Sequence, residues 1–224
     1  MPKNLTAAMS SLANTRDNNP TTSSPTWKVG SNQWVRMKQQ RIDHANATHR
    51  ILTETFGYSD SSGGWVSLTE HLESQETLTS TIQPNDILTA SFGHRASPAT
   101  NHSTTFLTEH DDTLEAATSL LEDHGCESCV ALNFASAKRK GGGWLSGAQA
   151  QEESITRRST LFSSLNSEPA QPYYKRNLEN IKPHGNDGLY TDALVLSKEI
   201  AILQRNEVRK IVTHVLSCLL VYPL

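Results

Sequence analysis

The chain has 224 residues, 36% hydrophobic, 6% aromatic and 19% charged, with a formal charge of -3 and a mean hydropathy of -0.49. That is room for one ordinary domain with tails and a lean core. The acidic balance, with a pI near 6.3, excludes a protein that binds duplex nucleic acid by charge alone, and three cysteines exclude a disulfide-built secreted scaffold.

The N-terminal segment carries no apolar run of signal-peptide length, and no apolar stretch reaches the ~20 residues of a bilayer span. An intracellular protein, cytoplasmic or nuclear and without a membrane partner, is expected. Residues 1–33 are rich in Ser, Thr, Asn and Pro. Ordering them cannot be repaid by burial, which predicts a disordered tail. Over residues 34–56, Val35, Ile42, Ala45, Leu52 and Phe56 recur at near-helical spacing. One long amphipathic helix is predicted, with Gly57 as its stop. Short strands are read at 65–68 and 86–88, and a loop over 93–101. Residues 104–109, Thr-Thr-Phe-Leu-Thr-Glu, suit a strand.

Asp112 with Glu115 three positions on resembles a capping box. The helix it opens has Leu114, Ala117 and Leu121 on one face and Gly125 at its end. Residues 130–134, Val-Ala-Leu-Asn-Phe, are an apolar run of strand length, read as a buried strand. Beyond the glycine run, Ile155, Phe162 and Leu165 mark one further helical face, and Ala193, Leu194, Val195 and Leu196 another strand. Strand, helix, strand, glycine loop and helix in that order argue for an α/β layered domain.

The glycine loop carries the most information. Gly141, Gly142 and Gly143 lie between a strand and a helix and follow Lys138, Arg139 and Lys140. A structured glycine run costs backbone entropy. One reason to bear it is the close approach of a phosphate or sugar to backbone N–H groups, with a helix N-terminus adding its own. The spacing matches neither common nucleotide loop. Glu152 and Glu153 then open the helix. Neighbours on a helix point about 100° apart, so the two carboxylates can address two places on one sugar. Proximity and burial raise the pKa of at least one, as glycosidic cleavage by a carboxylic acid requires. A glycine-rich surface turn, with acids that merely stabilise a helix start, explains the same residues equally well.

Three glycines, seven residues and then Gln151-Glu152-Glu153 resemble the signature of the poly(ADP-ribose) glycohydrolases, microbial type. The similarity extends to the helix start at Asp112, to Leu132-Asn133-Phe134-Ala135-Ser136-Ala137, to Arg158-Ser159-Thr160-Leu161, to Tyr173-Tyr174 and to Leu189-Tyr190-Thr191-Asp192. The resemblance implies a macrodomain-like three-layer α/β/α fold with a mixed sheet. It implies hydrolysis of ribose–ribose O-glycosidic bonds in poly(ADP-ribose), without metal or cofactor.

By position, Glu153 is implied as the general acid and base, and Glu152 as the holder of ribose hydroxyls. Gly141, Gly142 and Gly143 pass close to the diphosphate and ribose, and Gln151 positions the loop. Asn133, Ala135 and Ser136 line the end of the strand. The implied partners are poly(ADP-ribose) or ADP-ribosylated proteins, bound by a monomer. A catalytic domain over 34–205 is expected to be C-terminally truncated. The apolar residues from 206 to 224 are expected to stand outside the family pattern. An ADP-ribose-binding module without turnover and an inactive fragment are the rival readings.

Three lesser signals remain. Cys126 and Cys129 have C-x-x-C spacing but no second pair, which favours two cysteines at the mouth of a strand over a zinc site. The Lys138–Arg139–Lys140 cluster suits either a solvated loop or attraction of a polyanion, and Trp144 either covers the site or packs under the loop.

Overall fold

A computed structural model describes residues 31–60, 62–83, 105–108, 111–180 and 193–204, together with the backbone of 207–218. In chain order, helix α1 (Ser31–Arg50) continues through a π-turn at Ile51–Thr55. It stops at Phe56, whose left-handed backbone (φ 50°) ends it one residue before the predicted Gly57. Ala45 and Leu52 face inward and are buried, while Trp34, Val35 and Phe56 are exposed.

Strands β1 (Gly57–Ser59) and β2 (Trp65–Ser67) pair as a small antiparallel ribbon. Helix α2 (Thr69–Leu78) runs directly into β3 (Thr79–Ile82). Helix α3 (Thr113–Glu122) starts where expected. The Asp112 carboxylate accepts the N–H groups of Leu114 at 3.0 Å and Glu115 at 3.1 Å, which satisfies two of the donors a helix start leaves unpaired. Then come β4 (Val130–Phe134), α4 (Gln151–Arg157), α5 (Leu161–Asn166), α6 (Gln171–Asn180), β5 (Leu194–Gln204) and β6 (Glu207–Cys218).

The main sheet is mixed, in the order β3-β5-β6-β4. The pairs β3–β5 and β5–β6 are antiparallel, and β4–β6 is parallel. Leu216 stands opposite both Leu132 and Leu196. Residues 207–218, part of the stretch expected to stand outside the family pattern, form the strand that joins β4 to the sheet. The expected α/β class is met.

Leu114, Ile155, Leu161, Leu165, Val195 and Ile200 share one buried cluster with Tyr173 and Tyr174. Each large aliphatic side chain there contributes about 1.5–3 kcal/mol by burial. Hydroxyls tie the layers together. Ser164 Oγ donates to Ser197 Oγ at 2.6 Å, and Thr79 Oγ1 lies 2.7 Å from Ser164 Oγ.

Three expectations change. Residues 105–108 carry no secondary structure, and Phe106 is 91% exposed. High β-propensity yields a strand only beside a partner, and among the described residues none pairs with this segment. The helical face of Ile155, Phe162 and Leu165 belongs to two helices rather than one. Between α4 and α5, the Leu203 N–H donates to the Arg158 carbonyl at 2.6 Å and the Thr160 N–H to the Ala201 carbonyl at 2.9 Å. The backbone there pairs with β5 instead of extending the helix.

Finally, β4 is buried on one face only. Ala131 and Asn133 point into the core, while Val130, Leu132 and Phe134 are exposed, as the period of a strand dictates. The strand read at 86–88, the loop at 93–101, the motif at 189–192 and residues 1–30 of the predicted tail lie outside the described residues.

Candidate active site

The chain leaves β4 at Phe134, passes Ala135 and Ser136, turns at the three glycines and enters α4 at Gln151. Asn133 and Ala135 are fully buried, so the loop springs from a rigid base. Gln151 secures that base. Its Oε1 accepts the Phe134 N–H at 2.8 Å, and its Nε2 donates to the Leu132 carbonyl at 3.0 Å and to Thr113 Oγ1 at 2.9 Å. The side-chain amide thus pairs with β4 as a neighbouring strand would. It fixes the strand rather than the glycine loop.

Gly141 and Gly142 both adopt left-handed backbone, with φ of 69° and 59°. A Cβ on Gly142 would collide with the Glu153 carboxylate and lie 3.1 Å from Glu152 Oε2. One on Gly141 would lie 2.8 Å from Thr156 Cγ2 and 2.9 Å from Trp144 Cδ1. The loop therefore needs glycine for two reasons: the sign of φ and backbone laid directly on the glutamates. Gly147 (φ 77°) closes the turn. Its carbonyl accepts Arg41 Nε at 2.9 Å, and the next carbonyl, of Ala148, accepts Arg157 Nη1 at 2.6 Å. Trp144 is buried under the loop, 5.1 Å from Phe162 and 5.9 Å from His49 between ring centroids. It packs rather than covers.

The two carboxylates are held in the same way. Glu152 Oε2 accepts the Ser136 N–H at 2.7 Å, and Glu153 Oε1 accepts the Gly143 N–H at 2.9 Å. In each, the second oxygen is buried and makes no hydrogen bond. Glu152 is 3% exposed and Glu153 8%. Burial pushes the Glu152 carboxyl up to about 7; the nearby Glu153 charge adds to this, while the Ser136 and Gly141 N–H groups oppose it. Glu152 is thus close to half protonated at neutral pH and able to donate. The raised carboxyl expected from the sequence is this one.

The site so assembled brings together Asn133, Ala135, Ser136, Gly141, Gly142, Gly143, Gln151, Glu152 and Glu153. Two unpartnered carboxyl oxygens lie beneath a loop of backbone N–H groups, an arrangement that can take a sugar hydroxyl on one side and pass a proton to a glycosidic oxygen on the other.

Sequence reasoning missed several supports. Thr156 Oγ1 donates to the Glu152 carbonyl at 2.7 Å, and its methyl lies beneath Gly141. Arg41 and Arg157 clamp the far end of the turn. Tyr174 is buried with its phenol unbonded, and burial and the Glu152 charge push its pKa up. The arginines carry no sequence signal that separates them from ordinary charged helix residues. The Tyr173–Tyr174 pair does stand out as a motif. Among the described residues no His, Cys, Asp or Glu side chains gather as a metal cluster, no helix is long and apolar enough to cross a membrane, and Cys126 and Cys129 form no disulfide.

Comparison with known proteins gives these residues a context. Two structures of Thermomonospora curvata poly(ADP-ribose) glycohydrolase resemble this chain at 29% identity over 80% of its length. The free protein gives a TM-score of 0.68, and that bound to the inhibitor ADP-HPD gives 0.64. The Deinococcus radiodurans glycohydrolase in complex with ADP-ribose is 31% identical over 66% of the chain, with a TM-score of 0.52. No curated protein matches. The chain spans 62–63% of the Thermomonospora protein's length and 56% of the Deinococcus one. The fold is thereby the macrodomain-like α/β fold of these enzymes. The family described as "Microbial-type PARG, catalytic domain" matches residues 45–205, well over half of the chain, and the protein belongs to it.

Proposed function

We propose that this protein hydrolyses the ribose–ribose O-glycosidic bonds of poly(ADP-ribose) and releases ADP-ribose. The observation that carries this reading is the paired arrangement of Glu152 and Glu153. One oxygen of each is pinned by a backbone N–H, and the other is buried and unpartnered beneath the glycine run.

In the proposed cycle, Glu153 serves as the general acid. Its proton passes to the leaving ribose oxygen as the anomeric C–O bond breaks, and positive charge develops on the remaining ribose as an oxocarbenium-like species. The Glu153 carboxylate then takes a proton from water, whose oxygen attacks the anomeric carbon, and the acid is restored. Glu152, neutral or ionised, holds the hydroxyls of the ribose being cleaved. Gly141, Gly142 and Gly143 lie against the ribose and diphosphate. Asn133, Ala135 and Ser136 form the floor, and Gln151 keeps that floor in register. The protein is proposed to act as a monomer on poly(ADP-ribose) or ADP-ribosylated proteins inside the cell, without binding duplex nucleic acid.

Incubation with labelled poly(ADP-ribose) tests the reading. The wild-type chain is expected to release ADP-ribose, and Glu153→Gln to abolish release while ADP-ribose binding persists. A second reading is an ADP-ribose-binding module without turnover, for which the glycine-loop backbone and the unpartnered carboxyl oxygens serve to hold the ligand alone. Calorimetric binding of ADP-ribose with no release from polymer would select it.

A further inference from the structure

Beside the glutamates lies a basic groove that the proposed chemistry does not use. Ser136 links the two: its N–H donates to Glu152 Oε2 at 2.7 Å, while its Oγ accepts the N–H groups of Lys138 at 3.3 Å and Arg139 at 3.1 Å. A hydroxyl that caps two successive N–H groups fixes a turn, so Lys138 and Lys140 are presented from a held backbone one turn away from the site. Lys140 Nζ donates to Asn166 Oδ1 at 3.1 Å and stands 6.0 Å over the Tyr174 ring. Helix α6 brings Lys175 and Leu178 to the opposite wall.

The three lysines, with Tyr174, Leu178 and a single acid, Glu179, line a cavity of about 580 Å³. Among the described residues no carboxylate forms an ion pair with any of the three. Tyr174 is the shared wall: its side chain lines the groove, and its buried phenol feels the Glu152 charge.

We propose that this groove binds the diphosphate of the ADP-ribose unit next to the bond being cleaved, and so gives the polymer an affinity that the single unit lacks. The inference rests on the glycohydrolase reading. A polymer with one linkage at the glutamates must continue past them. Each further unit carries two phosphates, and an unpaired basic groove begins at the residue that holds Glu152. Leu178, half exposed, adds an apolar surface for a ribose.

The test uses the full chain, monomeric ADP-ribose by calorimetry, and a defined ADP-ribose oligomer by fluorescence anisotropy at several salt concentrations. Wild type is expected to bind oligomer more tightly than monomer. In the double variant K138E/K175E, oligomer affinity falls roughly 10- to 30-fold near 0.1 M salt, and the slope of log K against log salt is shallower by about 1.4. Monomer affinity stays unchanged, which also reports that the variant is folded. Oligomer bound no more tightly than monomer by wild type, or equal losses for both ligands in the variant, overturns the groove while leaving the glycohydrolase reading intact. Equal affinity for a single-stranded oligodeoxynucleotide of the same charge overturns it in favour of a nucleic-acid groove. Binding of neither ADP-ribose ligand removes the glycohydrolase reading and the groove with it.

Discussion

A buried carboxyl with one oxygen on a backbone N–H and the other facing nothing is an expensive side chain to keep, and its titration reports that expense. Glu152 has its pKa raised from 4.5 to about 7, so the folded state binds more protons than the unfolded state between those values. The associated stability is fully present below pH 4.5 and is lost as pH rises through 7, by at most roughly 3 kcal/mol. Urea unfolding at pH 5 and pH 8 is expected to show the wild type weaker at pH 8, and Glu152→Gln to lose most of that difference. An equal pH dependence in the variant would place the titrating group elsewhere. At Gly142, alanine must enter left-handed backbone and displace the Glu153 carboxylate. Gly142→Ala is expected to cost about 1–3 kcal/mol in strain, measured as a lower unfolding midpoint, and to abolish release of ADP-ribose from polymer.

At the scale of elements, the site depends on two side chains acting as backbone. Gln151 occupies the edge of β4 with two hydrogen bonds and reaches Thr113 Oγ1 with a third. Gln151→Leu removes its bonds to the Phe134 N–H and the Leu132 carbonyl, which water can replace at this exposed edge, and is expected to cost about 0.5–1.5 kcal/mol in urea unfolding. Asp112 caps α3 and also forms an ion pair with Arg158 at 2.5 Å. Asp112→Ala is expected to cost about 1 kcal/mol or more.

The cap was legible because Asp with Glu three positions on is a local pattern, and so were β4 and the glutamates at the start of α4. The break between α4 and α5 was not, because it is made by pairing of residues 158–160 with β5, more than 40 positions away, which no local periodicity records. The same holds for 105–108: its composition suits a strand, and what decides is the partner. The glycines were legible as a demand for close approach. That the approaching group is the protein's own Glu153 carboxylate is a tertiary fact.

At the scale of the whole molecule, β5 is buried on both faces from Ile200 to Leu203, whereas β4 gives one face to the core and leaves the other exposed. Leu165, fully buried in the main cluster, is expected to cost about 2–5 kcal/mol as Leu165→Ala. Phe134, 53% exposed, is expected to cost under about 1 kcal/mol as Phe134→Ser. Equal costs in thermal unfolding would mean that the exposed face of β4 is covered in solution. The backbone of residues 207–218 pairs between β5 and β4, a register that their apolar run does not by itself announce.

The central claim, that the two glutamates and the glycine run form one sugar-binding catalytic site, is tested most directly by a crystal structure with ADP-ribose. The expected result is a ribose within hydrogen-bond distance of the free oxygens of Glu152 and Glu153, with the diphosphate along Gly141, Gly142 and Gly143. A nucleotide seated elsewhere, or a Glu153 carboxyl turned away from the anomeric carbon, would contradict it.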